Sequence, residues 1–600
     1  MKVHQPGGHL MRGGRAQVED WSWAQTKRRL RALHRLARPY KGRTTLAIVS
    51  LLGATAVTLA PPYLVGRTID EVRHGNTGKL EWLVAAFVIA GALGIAFSYA
   101  QTFYTGWTGE RMLADLRNHL FKHLQRLSLG FYERNRAGVI ISRLTNDVEA
   151  LDQLVTDGVT SLVQNALTLA GTAVVLFFLD WRLALATLTV IPVVSVATAW
   201  FRKRSGRAYR AVRETIGAVT ATLAEDIAGM RVLQSFTREQ AAKENFRQVS
   251  DTYRISNMQT VVLSGIYFPV LDFLSSASTA VVLGYGGWLV WHHEASIGTL
   301  VAFLGYLANF FDPVQQLSQL YNTFLSAVAA LDKITDLLDE EPDVVDIAGA
   351  TSLGPIAGHV RYDDVHFAYS RGSEVLHGIS LDVPAGTTVA LVGHTGAGKS
   401  TIVKLLARFY DPTSGAITID GSDLRGVTQE SLRRQLGIVP QEGFLFAGTP
   451  AENIAFGRPG ATRAEIESAA TAVGADEFIQ QLEDGYDTQL GERGSRLSLG
   501  QRQLVAFARA LLADPRILIL DEATSSVDIG TERKIEVALR RLLHDRTAFI
   551  IAHRLSTIRE ADLIVVLENG LIIEQGTHAE LLAGKGLYTS LYGDWAESAA

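Results

Sequence analysis

The chain has 600 residues, more than one hydrophobic core can serve, and it contains no cysteine, which removes thiol catalysis, Cys-ligated zinc, iron–sulfur clusters, disulfides and a fused cysteine-protease leader together. Charged residues make up 20% and the net charge is −4, without the basic excess that gives nucleic-acid proteins their affinity, so no nucleic-acid partner is expected.

Residues 1–20 begin Gly- and Arg-rich without an apolar run and read as a disordered tail rather than a cleavable signal. Residues 21–43 are basic, interleaved with Leu, Trp and Tyr, and end near Pro39-Tyr40, as in a helix lying at a membrane surface. Six long apolar runs follow at 45–66, 80–104, 159–179, 182–201, 268–291 and 297–320, each near the ~20 residues that carry a helix across ~30 Å of hydrocarbon. One such run can be a buried soluble helix, but six in series fit a membrane domain, assigned to residues 44–335.

The connections after the second and fourth runs carry Arg111, Arg117, Lys122, Arg126, Arg134, Arg136 and Arg143, then Arg202, Lys203, Arg204, Arg207, Arg210 and Arg213. Basic residues beside a membrane stay inside, so these long connections and both termini are expected on the cytoplasmic side of the inner membrane. Their apolar periodicity is helical, and the second to fifth spans are expected to run well past the bilayer. Asp272 stands inside the fifth run, where an ionisable group either serves function or pairs with a polar neighbour. His292-His293-Glu294 reads as a solvated external loop rather than a metal site, because three adjacent ligands rarely satisfy metal geometry.

Residues 336–358, with Asp339-Glu340-Glu341-Pro342-Asp343, form an acidic linker. Residues 359–600 alternate β-branched strands with helices, as in an α/β unit. Within it Gly393-His394-Thr395-Gly396-Ala397-Gly398-Lys399-Ser400, followed by Thr401, has the P-loop pattern between an expected strand (388–392) and an expected helix (401–409). Glycines there let backbone N–H groups converge on phosphate oxygens, Lys399 adds a point charge, and Ser400 offers an oxygen to magnesium. Further on, the apolar strand Ile517-Leu518-Ile519-Leu520 ends in Asp521-Glu522, one acid to hold hydrated magnesium and one to take a proton from attacking water. The segment Ser498 to Gln501 precedes a helix-like run, 502–513, whose N-terminus suits phosphate.

The order of the P-loop, Gln441, Leu497-Ser498-Leu499-Gly500-Gln501, Asp521-Glu522, Ser525-Ser526-Val527-Asp528 and His553 resembles the nucleotide-binding domain of ABC transporters. The membrane half resembles bacterial-type ABC exporter half-transporters: Phe131-Tyr132-Glu133-Arg134-Asn135-Arg136-Ala137-Gly138 and Ser142-Arg143-Leu144-Thr145-Asn146-Asp147 look like their first intracellular loop, and the region around Gly229 and Phe236 like their second. The resemblance implies a multi-domain fold, an all-α six-helix transmembrane domain before an α/β P-loop NTPase, with ATP and Mg2+ as cofactors. It implies Tyr369 stacking on adenine, residues Gly393 to Thr401 and Asp528 around nucleotide, and Gln441 beside magnesium sensing the γ-phosphate. Glu522 would be the general base, His553 a γ-phosphate contact, and Asp521 a magnesium ligand with Ser400 and Gln441. Ser498, Gly500 and Gln501 would face the nucleotide of a second half-transporter, so two chains sandwich two ATPs and export an amphipathic compound or lipid from the bilayer.

The signature departs from the family's at Leu499, where a second glycine is usual. A side chain there narrows the space beside the γ-phosphate and restricts the backbone. Two assemblies stay open: a heterodimer in which this chain is the catalytically intact subunit, and a homodimer, for instance a lipid flippase, that tolerates Leu499. A channel or regulatory subunit would need a polar pore that these spans lack, and importers usually carry the two domains on separate chains.

Overall fold

A computed structural model of the chain describes residues 38–369, 372–441, 443–521, 529–552 and 554–599. They form two compact units, one of residues 38–125 with Ala137–Glu340 and one of Arg126–Arg136 with residues from Glu341 onward. The surface helix expected over 21–43 lies mostly outside the described residues; Arg38–Tyr40 is a single 3-10 turn leading into the first span.

In the first unit, six helices among the described residues are long and apolar enough to cross a membrane, as the six runs require. Their outward faces are apolar, with Ile95 75% and Phe178 88% exposed, which suits a hydrocarbon surround rather than water. The extensions are long. The second span belongs to Thr77–Arg126, 50 residues, and the fifth to Glu239–Trp291, 53 residues, or about 80 Å at ~1.5 Å per residue. The sixth also outruns its apolar part, as Ile297–Leu338.

Proline interrupts two spans that read as continuous. The first is Lys41–Thr58 and Ala60–Arg73, broken at Leu59 before Pro61-Pro62, which lack the N–H groups an unbroken helix would use. The Leu59 carbonyl, at the N-cap of the second half, also accepts from the hydroxyl of buried Tyr306 on the sixth span. The fourth is Trp181–Leu188 and Ile191–Ala228, broken before Pro192. The short external connection expected at Asp180-Trp181 is a single N-cap, the Asp180 carboxylate accepting from the Arg182 and Leu183 N–H groups.

Two further contacts join first and sixth spans. Asp70 accepts from Ser296 Oγ at 2.6 Å and from Gly298 N at 2.8 Å, capping the N-terminus of the sixth-span helix. Gly298 packs so closely on the first span that a Cβ there would stand 2.0 Å from the Gly66 carbonyl oxygen. Asp272 takes the pairing its position allowed: Gln315 of the sixth span donates to it at 3.0 Å. Glu294 is engaged by the Arg182 guanidinium and His292 by the Trp288 carbonyl.

The second unit contains two sheets. A six-stranded sheet runs β10-β9-β3-β8-β7-β6, with β3 (Thr388–Val392), β6 (Leu436–Val439), β7 (Ile517–Asp521), β8 (Thr547–Ile551), β9 (Leu563–Glu568) and β10 (Leu571–Gly576). All neighbours in it are parallel except β9 and β10. A smaller antiparallel sheet runs β2-β1-β4-β5, with β1 (Val360–Ala368), β2 (Glu374–Val383), β4 (Ser414–Ile419) and β5 (Ser422–Asp423). Parallel strands covered on both faces need continuous apolar sequence. Val389 and Leu391 of β3 point into the core shared with the smaller sheet, and Ala390 and Val392 into the core formed with the helices.

Candidate ATP-binding site

The parallel order sends β3, β6, β7 and β8 toward one edge, where ligands of open α/β sheets bind. The P-loop leaves β3 there and enters the helix Lys399–Leu406, slightly earlier than the expected 401–409. Two glycines are required by geometry. Gly393 has φ +143°, and a Cβ on it would stand 2.1 Å from the Leu567 carbonyl oxygen; Gly398, the N-cap, has φ +106°. His394, Thr395, Gly396 and Ser400 are exposed along the loop, whereas Ala397 and Thr401 are buried beneath it.

Lys399 is only 8% exposed, and its ammonium donates to the carbonyls of Gly393 at 2.6 Å and His394 at 3.0 Å, so it is held across the loop. Burial pushes its pKa below the usual lysine range, and the Asp521 carboxylate partly restores it. That places Asp521, last residue of β7 and paired with Ile551 of β8, within electrostatic reach of the P-loop lysine. Gln441 lies exposed two residues beyond β6 at the same edge. The donors fit their expected cargo: glycine-lined backbone and a buried cation for phosphate, and the hard oxygens of Ser400 and Asp521 for magnesium. Glu522, Asp528 and His553 lie outside the described residues.

The signature segment folds differently from its expected boundary. Its helix is Leu499–Ala513, three residues longer at the start than 502–513, because Ser498 and Gln501 form a capping box. Ser498 Oγ accepts from Gln501 N at 3.2 Å, and Gln501 Oε1 accepts from Ser498 N at 2.9 Å. The Ser498 hydroxyl keeps its proton for another acceptor. Leu499 is therefore the first helical residue, where ordinary backbone angles suffice, so the restriction expected of its side chain costs no strain; Gly500 is buried behind it.

Tyr369, half-buried past the end of β1, shares a 3.0 Å hydrogen bond with the Thr401 hydroxyl. Its ring stands edge-on to Phe367 and Tyr410, centroids 4.8 and 5.1 Å away, and the Lys404 ammonium lies 5.7 Å from its centre. Sequence reasoning assigned no role to the next shell. Glu133, on the short helix Leu129–Arg134, accepts from Lys404 Nζ and from the Tyr410 hydroxyl, each at 2.7 Å. Burial would raise the Glu133 pKa, but these two bonds outweigh it and hold the carboxyl below its usual range, while burial and Glu133 together push the Tyr410 phenol up. The segment Arg126–Arg136, between the second and third spans, thus packs beside the expected adenine platform as part of the second unit.

Comparison with known proteins agrees with this architecture. Residues 44–314 match the ABC transporter transmembrane region, and residues 376–525 match the ABC transporter family. An ABC transporter ATP-binding protein of Bacillus subtilis is 41% identical over 577 residues, 96% of this chain and 95% of that one. An ATP-dependent lipid A-core flippase of Syntrophus aciditrophicus is 39% identical over 93% of each chain, and a multidrug efflux ATP-binding/permease protein of Mycobacterium bovis is 39% identical over 93% of this chain and 47% of its own length. The solved structure of a bacterial Atm1-family ABC exporter with ATP bound superposes with a TM-score of 0.77 at 33% identity, covering 93% of this chain and 98% of that one. With a phosphate cradle on one unit and six spans on the other, the chain belongs to the ABC transporters, as an exporter that couples ATP hydrolysis to transport across a membrane.

Proposed function

We propose that the chain is one half of a dimeric exporter that moves an amphipathic compound, drug-like or lipid, out of the cytoplasmic membrane by alternating access, with its ATP-binding unit in the cytoplasm. The observation that carries this reading is the packing of Glu133, from the loop between two spans, against Lys404 and Tyr410 beside the P-loop helix. It gives nucleotide occupancy a mechanical route to the membrane helices. Binding can shift that equilibrium only by favouring one arrangement over the other.

In the proposed cycle the P-loop N–H groups and Lys399 orient the phosphates, and Tyr369 takes the base. Ser498, Gly500 and Gln501 reach the nucleotide held by the second half-transporter. Ser400, Gln441 and Asp521 would hold magnesium, which would supply positive charge to the phosphates. Glu522 takes the proton of the attacking water, and His553 and Asp528 complete the surround.

The unstrained place of Leu499 at the head of its helix favours a homodimer over an assembly that needs a different second chain. The test is ATP hydrolysis by the chain expressed alone and reconstituted in proteoliposomes against a panel of lipids, drugs and peptides. Turnover stimulated by a panel member, and abolished by Lys399→Ala, is expected. A chain that stays monomeric and inactive refutes the homodimer; cargo movement untouched by Lys399→Ala refutes the export reading altogether.

A further inference from the structure

The second unit contains the same two-residue turn twice. Asp420-Gly421 joins β4 to β5 with φ +48° and +80°, and Asn569-Gly570 joins β9 to β10 with φ +49° and +77°. Positive angles at both positions are those of a type I′ hairpin, for which Asp-Gly and Asn-Gly are the favoured sequences. Their surroundings differ. A Cβ on Gly421 would meet nothing within 4 Å, whereas one on buried Gly570 would stand 2.2 Å from the Val375 carbonyl oxygen and 2.8 Å from the His377 ring.

Gly570 is wedged between β2 and the P-loop. Its carbonyl accepts from the His377 N–H at 3.0 Å, and its own N–H donates to the Ala397 carbonyl at 3.2 Å. The loop presses on the same place, since a Cβ on Gly398 would stand 2.7 Å from a Leu376 methyl and 3.9 Å from Gly570 Cα.

What lies across the Ala397–Gly398 peptide bond gives that contact its consequence. In a trans peptide the C=O and the following N–H point opposite ways. Turning the Ala397 carbonyl toward Gly570 therefore turns the Gly398 N–H away from it, and no acceptor among the described residues takes that N–H. Gly398 is the N-cap of the P-loop helix, so its N–H joins the orphan donors that a phosphate satisfies. Lys399 restrains other peptides, those of Gly393 and His394 at the start of the loop.

We infer that Gly570 is a positioning residue for nucleotide: acting through Ala397 rather than on the ligand, its N–H holds the Ala397–Gly398 peptide so that the Gly398 N–H faces the phosphates. The inference rests on the P-loop as the phosphate cradle for ATP and adds to it a glycine from a hairpin outside every motif of the site.

The test compares Gly570→Ala with Gly421→Ala in the full chain, purified in detergent. Both place a Cβ at a positive φ and strain the turn alike, but only the first pushes the hairpin off Val375 and takes the N–H from Ala397. Binding of the fluorescent analogue mant-ATP, its competition by ATP and AMP, and the kcat and KM of ATP hydrolysis are measured for each. Gly570→Ala is expected to weaken ATP about tenfold, as loss of one oriented donor to a charged group does, and to raise KM with it. AMP, which lacks the outer phosphates, loses less. Gly421→Ala leaves binding and KM unchanged even where its Tm falls. A lower kcat with binding and KM unchanged marks only a smaller folded fraction and overturns the inference, as do equal losses for ATP and AMP or an equal loss in Gly421→Ala. Should Gly570→Ala not fold, Asn569→Val decides, because a β-branched residue at φ +49° tilts the turn without an added atom against Val375. Severalfold weaker ATP is expected there, and no weakening refutes the role. Wild type that binds no ATP would overturn the nucleotide reading itself, whereas wild type and Gly570→Ala binding it equally well would remove only the brace.

Discussion

Tyr410→Phe deletes one hydroxyl from the cluster that ties Glu133 to the P-loop helix. The lost bond runs to a carboxylate, and such bonds contribute ~1.5–3 kcal/mol when desolvated. Glu133 keeps 37% of its side-chain exposure, so water screens the bond and ~1–2 kcal/mol is the better figure. The Lys404 pair, 30% and 37% exposed, contributes less, ~0.5–1 kcal/mol. Glu133→Ala removes both and should cost ~1.5–3 kcal/mol. In a unit of this size each kcal/mol lowers Tm by about 2–4 °C. The assay is the nucleotide-dependent unfolding transition of the full chain in detergent, run as a double-mutant cycle of Glu133→Ala and Tyr410→Phe. The double variant should cost ~1–2 kcal/mol less than the two single losses together, because both remove the same bond. Losses that add within ~0.3–0.5 kcal/mol would show that Glu133 and Tyr410 act independently, and the proposed route from nucleotide to membrane would lose its footing.

The same carboxylate gives a pH signature: its folded pKa is depressed, so its contribution is full above the unfolded value of ~4.3 and fades as pH falls through the lower folded value. Wild type should therefore lose more stability than Glu133→Gln on acidification below about pH 4.3, read by thermal melts across that window. Glu522→Gln should bind ATP normally and hydrolyse it ~10²–10⁴-fold more slowly, measured by single-turnover assay; near-normal turnover contradicts the base assignment. Asp70→Ala should cost ~1–2 kcal/mol through the lost cap on the sixth-span helix, read as a lower detergent Tm. Gly298→Ala should be worse than Gly284→Ala, since the second Cβ meets nothing within 4 Å and the first meets backbone at 2.0 Å.

What the sequence made legible was local. The span 159–179 is the observed helix Val159–Leu179, and β3 is the expected strand 388–392, because an uninterrupted apolar run and a glycine-terminated β-branched run each leave one solution. Boundaries decided by capping were missed: Ser498 and Gln501 close a box that starts the signature helix at Leu499. The break at Leu59 was written in Pro61-Pro62, but apolar content alone masked it. Glu133 could be quoted as part of a family loop without a role, because its partners Lys404 and Tyr410 lie 271 and 277 residues away.

The broken first span bears on how the bundle moves. Its two halves are separate rods meeting at Leu59, and the Tyr306 hydroxyl closes on the joint like a latch. Breaking that bond in hydrocarbon would leave the Tyr306 hydroxyl without a substitute acceptor, so the joint is tied to the sixth span. Asp70 and the Gly66–Gly298 contact join the Ala60–Arg73 rod to the sixth span. Any swing must therefore be shared by those two helices as one lever, pivoting about a proline step in the hydrocarbon.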